Sequence, residues 1–425
     1  MRAAGLAFAL FLAPLVVPSA VAAKPAAATA ETLAIDTARI DAALKQMVDS
    51  GRAAGTSALI WQDGREVYFG TAGMADRKAR RPMRRDTIVQ IFSMTKPVTG
   101  VALMQLWEQG KFRLDDPLAK YLPEYTSMRV YVGKDAGGTP RYVPADRPIL
   151  VRDVLRHTAG FAYGPGPTPV HDAYVAADPL ALTVPLAEAS RRLARVPLLF
   201  QPGTQWEYSM AVDVQAALVE KLSGEPFADY VRDHIFEPLK MRETAWRQPD
   251  DRLPRFAAMN VMTDGKLIQQ SDAAARLLNF QDHALTPGGF GLASTLDDYQ
   301  RFARMLLGRG ELDGVRILKP STVRLMATDQ LDPSITQRAW LPGKGAMGFG
   351  FDFAVRKAQP LTPDENRGAV GEFFWDGLPS TLFWVDTANR LTVVFFVQSQ
   401  PFDGTLHRDF RAAVYGRDYQ GPPGD

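Results

Sequence analysis

The chain has 425 residues, of which 46% are hydrophobic and 23% charged, and a formal net charge of +2. That composition belongs to a globular protein with a large core and excludes a disordered chain. Lysine and arginine are interspersed with aspartate and glutamate, which argues against a nucleic-acid partner, and the absence of cysteine removes disulfides, thiolate metal ligands and a lipidated N-terminal cysteine.

The opening MRAAGLAFALFLAPLVVPSAVAAK has one arginine, an apolar stretch from Leu6 to Val17 and an A-x-A-like site at Ala20-Val21-Ala22, the pattern of a secretory signal over residues 1–22. Its apolar core is short for a membrane span, and no other segment reaches about 18 uninterrupted apolar residues. The expectation is an exported protein, bacterial periplasmic or secreted, with no membrane span in the mature chain. Residues 23–32, including KPAAATAET, read as a flexible leader. A mature chain of this size can rely on its core without disulfides.

From residue 33 the pattern becomes that of folded elements. IDTARIDAALKQMVDSG places Ile35, Ile40, Ala43, Leu44 and Met47 on one helical face, with a stop at Gly51. TSALIW and EVYFGTAG flank Gln62-Asp63-Gly64-Arg65, and the Asp-Gly pair predicts a hairpin. IFSMTKPVTGVALMQLWEQGKF predicts a helix that begins close to Ser93, with Pro97 confined to its first turns. From about 116 to 285, segments such as VDVQAALVEKLSG and FADYVRDHIFEPLK alternate with loops like YGPGPTP, which predicts an inserted, mainly helical region. STLFWVD and LTVVFFVQ then read as strands on either side of Thr387-Ala388-Asn389-Arg390, and HRDFRAAVYGRD reads as a terminal helix. The fold class expected is α/β. Its antiparallel sheet is built from both chain ends, about 33–115 and 286–420, within a single domain over 33–425.

Ser93 has a lysine, Lys96, three residues on, and no other serine in the chain does. A serine hydroxyl needs a base to take its proton as it attacks, and a lysine kept neutral by burial can be that base. On a helix this spacing puts both side chains on one face, about 5–6 Å apart at Cβ. The alternative for these two residues is an N-cap serine followed by a solvated lysine.

S-M-T-K, followed by RLDDPLAKYLPEY, VRDVLRHTAGF, QPGTQWEYSMAVDV and GGFGLASTLDDYQRFARMLLGRGEL, resembles the serine β-lactamase and penicillin-binding superfamily over nearly the whole mature chain. The closest likeness is to its class C-like branch and to the family VIII carboxylesterases. The resemblance implies a β-lactamase/transpeptidase-like fold and a catalytic set of Ser93, Lys96 and Tyr208, the last being the tyrosine of Tyr208-Ser209-Met210. It further implies a third motif at Trp375-Asp376-Gly377, and an oxyanion hole formed by the backbone N–H groups of Ser93 and Leu378. A phenol beside a cationic lysine can lose its proton below the usual ~10, so Tyr208 and Lys96 both remain candidates for the base. The bland readings are a core aromatic for Tyr208 and an Asp-Gly turn with a packing tryptophan for Trp375-Asp376-Gly377.

Two departures from the β-lactamase pattern bear on the substrate. Neutral Trp375 and anionic Asp376 stand where a cation would face a substrate carboxylate, a contact that typically carries ~1.5–3 kcal/mol. Met210 stands in place of an amide side chain, and its apolar thioether suits an acyl chain. Met210, Trp375, Asp376 and Gly377 are therefore the expected substrate contacts. The expected substrate is a neutral, short-acyl carboxylic ester, cleaved through an acyl-serine intermediate without metal or cofactor.

A Ser-His-Asp hydrolase could draw on His157, His171, His234, His283 or His407, but the chain has no G-x-S-x-G elbow, and His157 in RHTAGF reads as structural. Neither H-E-x-x-H nor a comparable histidine pair supports a zinc hydrolase. The rivals within the superfamily are a β-lactamase and a D-alanyl-D-alanine carboxypeptidase or other peptidase. From another class comes a non-catalytic module that keeps the penicillin-binding shape.

Overall fold

The structure is a computed structural model that describes residues 33–339, 341–362, 364–419 and 421; the signal and leader read over 1–32 lie outside the described residues. Asp36 caps the first helix, α1 (Thr37–Asp49), by accepting from the Arg39 amide at 3.0 Å, and Ile40, Leu44 and Met47 form its buried stripe. Strands β1 (Gly55–Gln62) and β2 (Arg65–Asp76) make the expected hairpin. Asp63 and Gly64 have φ of 53° and 77°, the positive values that a two-residue hairpin turn of this kind requires at both positions.

β2 pairs with the short β3 (Arg81–Pro82), and five more strands come from the last third of the chain: β4 (Met347–Phe349), β5 (Ala354–Arg356), β6 (Phe373–Asp376), β7 (Leu382–Asp386) and β8 (Leu391–Val397). They form one antiparallel sheet in the order β4-β5-β6-β7-β8-β1-β2-β3. β1 lies against β8 from Thr56 opposite Val397 to Gln62 opposite Leu391, so the two ends of the domain join mid-sheet. Every residue of β7 and β8 is buried, because helices cover them.

Four further long helices matter to the site: α2 (Thr95–Glu108), α3 (Ala211–Ser223), α4 (Leu296–Leu307) and α5 (Gly404–Tyr415). α4 packs on β1, β7 and β8, α5 packs on α1, and α2 packs on α3. α2 is buried at every position from Thr95 to Met104, so this part of the helix is enclosed on all sides and only its last turn is part-exposed. Pro97 sits in its first turn, where the missing N–H removes no helical bond.

The region from 116 to 285 holds helices, among them Pro169–Ala177 and Leu186–Ala194, but also two hairpins that the sequence pattern did not disclose. One pairs Arg129–Lys134 with Pro140–Pro144; the other pairs Asn260–Thr263 with Lys266–Gln269 and receives Ser399–Gln400 as a parallel edge. Strands this short, with half-exposed side chains, give no sustained alternation to read.

Candidate active site

Ser93 lies in a 3-10 turn, Phe92–Met94, that feeds directly into α2. Phe92 has a φ of +44°, a left-handed conformation that costs a bulky residue roughly 1–3 kcal/mol and persists only where the surroundings fix it. They do so here: the Ile91 amide donates to the Leu292 carbonyl at 3.0 Å, the Met94 amide to the Ile91 carbonyl at 3.0 Å, and the Tyr299 hydroxyl to the Met94 carbonyl at 2.7 Å. The N-cap position of α2 falls on Met94, and no side chain caps it. The Ser93 hydroxyl instead accepts from Lys96 Nζ at 3.2 Å.

Lys96 is 1% exposed because α2 is enclosed. Its Nζ also donates to the Gly289 carbonyl at 2.7 Å, and the Gly289 amide donates to Asp213 Oδ1, on α3, at 3.1 Å. A β-carbon on Gly289 would lie 2.9 Å from Asp213 Oδ2 and 3.1 Å from Lys96 Nζ, so any larger residue here would displace one of those two side-chain tips. Burial pulls the Lys96 ammonium down to about 8, while the carboxylates of Asp213, Asp352 and Asp376 oppose that shift. A useful fraction of the amine is therefore neutral near neutral pH.

Tyr208 arrives from the segment before α3. Its phenol is influenced by the side chains of Ser93 and Trp375, both of which ease its ionisation, and Lys96 Nζ sits 4.6 Å from its ring centroid. Burial first, and Tyr163 second, push this phenol well above its ordinary range. Of the two candidates that the sequence leaves open for the base, the lysine is the one shifted toward its basic form.

His157 is 1% exposed and accepts from the Ser209 amide through Nδ1 at 3.2 Å, with the Ser209 hydroxyl 3.0 Å from the same nitrogen. Its ring lies 5.0 Å from that of Tyr208. Burial, then the nearby Lys96 charge, hold it well below the usual imidazole range. It is a neutral support for the Tyr208-Ser209 segment.

The third motif closes the other side. Trp375 and Asp376 end β6, and a β-carbon on Gly377 would meet the Ile91 carbonyl at 2.4 Å, so this strand end abuts the turn that carries Ser93. The Trp375 ring is 5.4 Å from that of Tyr208. Leu378 follows directly and is 45% exposed. Ser93, Lys96, Tyr208, Trp375, Asp376 and Gly377 thus come together from three separate stretches of chain.

Two sequence expectations change here. Met210 is 1% exposed and packed into the core at the start of α3, so it backs the site and offers an acyl chain almost no surface. Asp376 is not an isolated anion: it forms an ion pair with Lys344, and His407 Nδ1 stands 3.9 Å from Asp376 Oδ2. Lys344, Asp213, Asp352 and Tyr163 escaped the sequence reading. Asp352 is 1% exposed and accepts from Gln215 Nε2 at 3.1 Å; burial pushes its carboxyl well above the usual range, with Gln215 and the Lys96 charge pulling the other way. Only the adjacent glycines of GGFG carry a local signal of close backbone approach; the aspartates and Lys344 reach the site through long-range folding alone.

The family model described as Beta-lactamase matches residues 40–416. An uncharacterized protein of Mycobacterium tuberculosis is 34% identical over 390 residues, covering 88% of this chain and 92% of its own length. Esterase EstB of Burkholderia gladioli is 31% identical over 404 residues, covering 89% and 95% respectively. Among solved structures, EstCE1, described as a hydrolase with promiscuous acyltransferase activity, superposes with a TM-score of 0.73 at 28% identity, covering 89% of this chain and 98% of its own.

Proposed function

The chain belongs to the beta-lactamase family and is a serine hydrolase, and we propose that it cleaves neutral, short-acyl carboxylic esters through an acyl-serine intermediate. The observation that carries this reading is the buried Lys96 amine at 3.2 Å from Ser93 Oγ, with the Tyr208 phenol beside both.

In the first half-reaction Ser93 Oγ attacks the ester carbonyl, and its proton passes to neutral Lys96, with the Tyr208 hydroxyl as relay. The backbone N–H groups of Ser93 and Leu378 receive the oxyanion. Collapse expels the alcohol, which takes the proton back. Water then repeats the sequence on the acyl-serine and releases the acid. A neutral substrate follows from Trp375 at the position of a cation, and from Asp376 being occupied by Lys344.

The test is an ester series with wild type and Ser93→Ala, alongside nitrocefin. Turnover of p-nitrophenyl butyrate that is lost in the variant supports the reading. Wild-type turnover in Ser93→Ala refutes the nucleophile, and hydrolysis of nitrocefin alone points to a β-lactamase. A carboxypeptidase would release D-alanine from a D-alanyl-D-alanine peptide, and a chain that a fluorescent phosphonate fails to label would be a non-catalytic module.

The promiscuous acyltransferase activity described for EstCE1 favours a second reading, in which an alcohol intercepts the acyl-serine and a new ester forms. Transesterified product in the presence of an added alcohol would support it. Residues 1–22 are proposed as an export signal, testable by the N-terminus of the mature protein.

A further inference from the structure

Beside the third motif lies a cavity of about 590 Å³, walled by Lys344, Asp376, Leu382, Phe402, His407 and Arg411. Lys344 ends a 3-10 turn, Leu341–Lys344, anchored by Leu341, which is fully buried, and by Asn366 Nδ2, which donates to the Lys344 carbonyl at 3.3 Å. Its ammonium lies 5.6 Å from the Trp375 ring centroid and 4.8 Å from that of Phe402, and it is ion-paired with Asp376. Trp375 in turn lies close to both this ammonium and the Tyr208 ring.

His407 is the other titratable group against Asp376. Its Nε2 faces the Ser380 carbonyl at 2.9 Å, and burial first holds the ring down to about 4, so at neutral pH it is uncharged. The proton it keeps goes to that carbonyl and leaves Nδ1 bare toward Asp376. Lys344 is therefore the cation that matches the Asp376 charge among the described residues within 4 Å at neutral pH.

We propose that the Asp376–Lys344 pair is a charge filter: Asp376 occupies an ammonium that would otherwise bind a substrate carboxylate, and so restricts the enzyme to uncharged esters. The filter rests on the ester reading above and adds its selectivity-determining residues. The cation missing from the third motif is thus present, supplied by a different loop and silenced by the residue after Trp375. Desolvated beside two aromatic rings, an unsilenced ammonium would hold an anion more firmly than it could in water.

The experiment measures kcat/KM for matched neutral and anionic esters with wild type, Asp376→Asn, Lys344→Met and the double variant. One pair, phenyl butyrate and meta-carboxyphenyl butyrate, places the charge in the leaving group. The other, p-nitrophenyl valerate and p-nitrophenyl hydrogen glutarate, places it in the acyl arm. Using the anionic-to-neutral ratio cancels any general loss of activity. Asp376→Asn is expected to raise the ratio in at least one pair by roughly ten- to a hundredfold, an effect that shrinks with added salt. Lys344→Met, which leaves Asp376 unmatched, is expected to lower the ratio, and the double variant to return it to wild type. Ratios unchanged in both single variants overturn the filter while the ester reading stands. A wild type inert toward all four esters overturns the ester reading and the filter with it.

Discussion

Asp213→Asn tests the electrostatics of the base directly. Asp213 Oδ2 and Lys96 Nζ both lie within 3.1 Å of one point, the position of a β-carbon on Gly289, so they are about 6 Å apart or less. They are not within ion-pair distance, which leaves a separation of about 5 Å. At an effective dielectric constant of ~20, opposite unit charges ~5–6 Å apart attract by about 3 kcal/mol, equivalent to about two pH units. Asparagine keeps an acceptor for the Gly289 amide and removes the charge. The other groups around Lys96 are unchanged: Asp352 and Asp376 still favour the ammonium, while His157, Tyr163 and Tyr208 are neutral near pH 7. Losing an anion disfavours the charged amine, so the Lys96 pKa falls and the neutral base persists to lower pH. The acid limb of kcat/KM, which reports the free enzyme, should move from about 8 in wild type toward about 6. The assay is the pH profile of p-nitrophenyl butyrate hydrolysis between about pH 5 and 10. A limb that stays put or moves to higher pH would refute Lys96 as the titrating base, and a wild-type limb above about 10 would transfer that role to Tyr208.

Tyr208→Phe removes the hydroxyl proposed to relay the Ser93 proton and should lower kcat by about 10²–10⁴-fold, with an unchanged thermal midpoint showing that the fold is intact. Gly289→Ala pushes a methyl group against the tips of Asp213 and Lys96, both able to swing aside; it should cut kcat about tenfold or more at little cost in stability, as read by parallel kinetics and urea titration. Glu372 is fully buried and accepts from Arg356 Nε at 3.0 Å and Arg411 Nη1 at 2.8 Å, so Glu372→Ala leaves two buried guanidiniums uncompensated. Urea titration should show a loss of about 3–5 kcal/mol.

Wherever the governing interaction is local, the chain announces it. The Asp63-Gly64 turn follows from the positive φ that such a hairpin demands, and the adjacency of Ser93 and Lys96 from the helical period. The short runs of β-branched and aromatic residues on either side of Thr387–Arg390 predict β7 and β8 for the same kind of reason. The short hairpins at 129–144 and 260–269 stayed hidden because their pairing depends on what packs beneath them.

The charge states at the site depend on distance in space. No pattern in S-M-T-K says that this part of α2 is enclosed on all sides, yet that enclosure desolvates the Lys96 ammonium and brings it to about 8. Nor does W-D-G show that Asp376 is matched by Lys344, 32 residues earlier, or that Tyr208 is buried deeply enough to keep its proton. Sequence by itself fixed which reactive groups the protein carries and which of them share a helix face, since backbone periodicity is set by neighbours along the chain. Tertiary structure decided which groups are charged and what they pair with, because desolvation and Coulomb energy depend on surroundings that only the completed fold assembles.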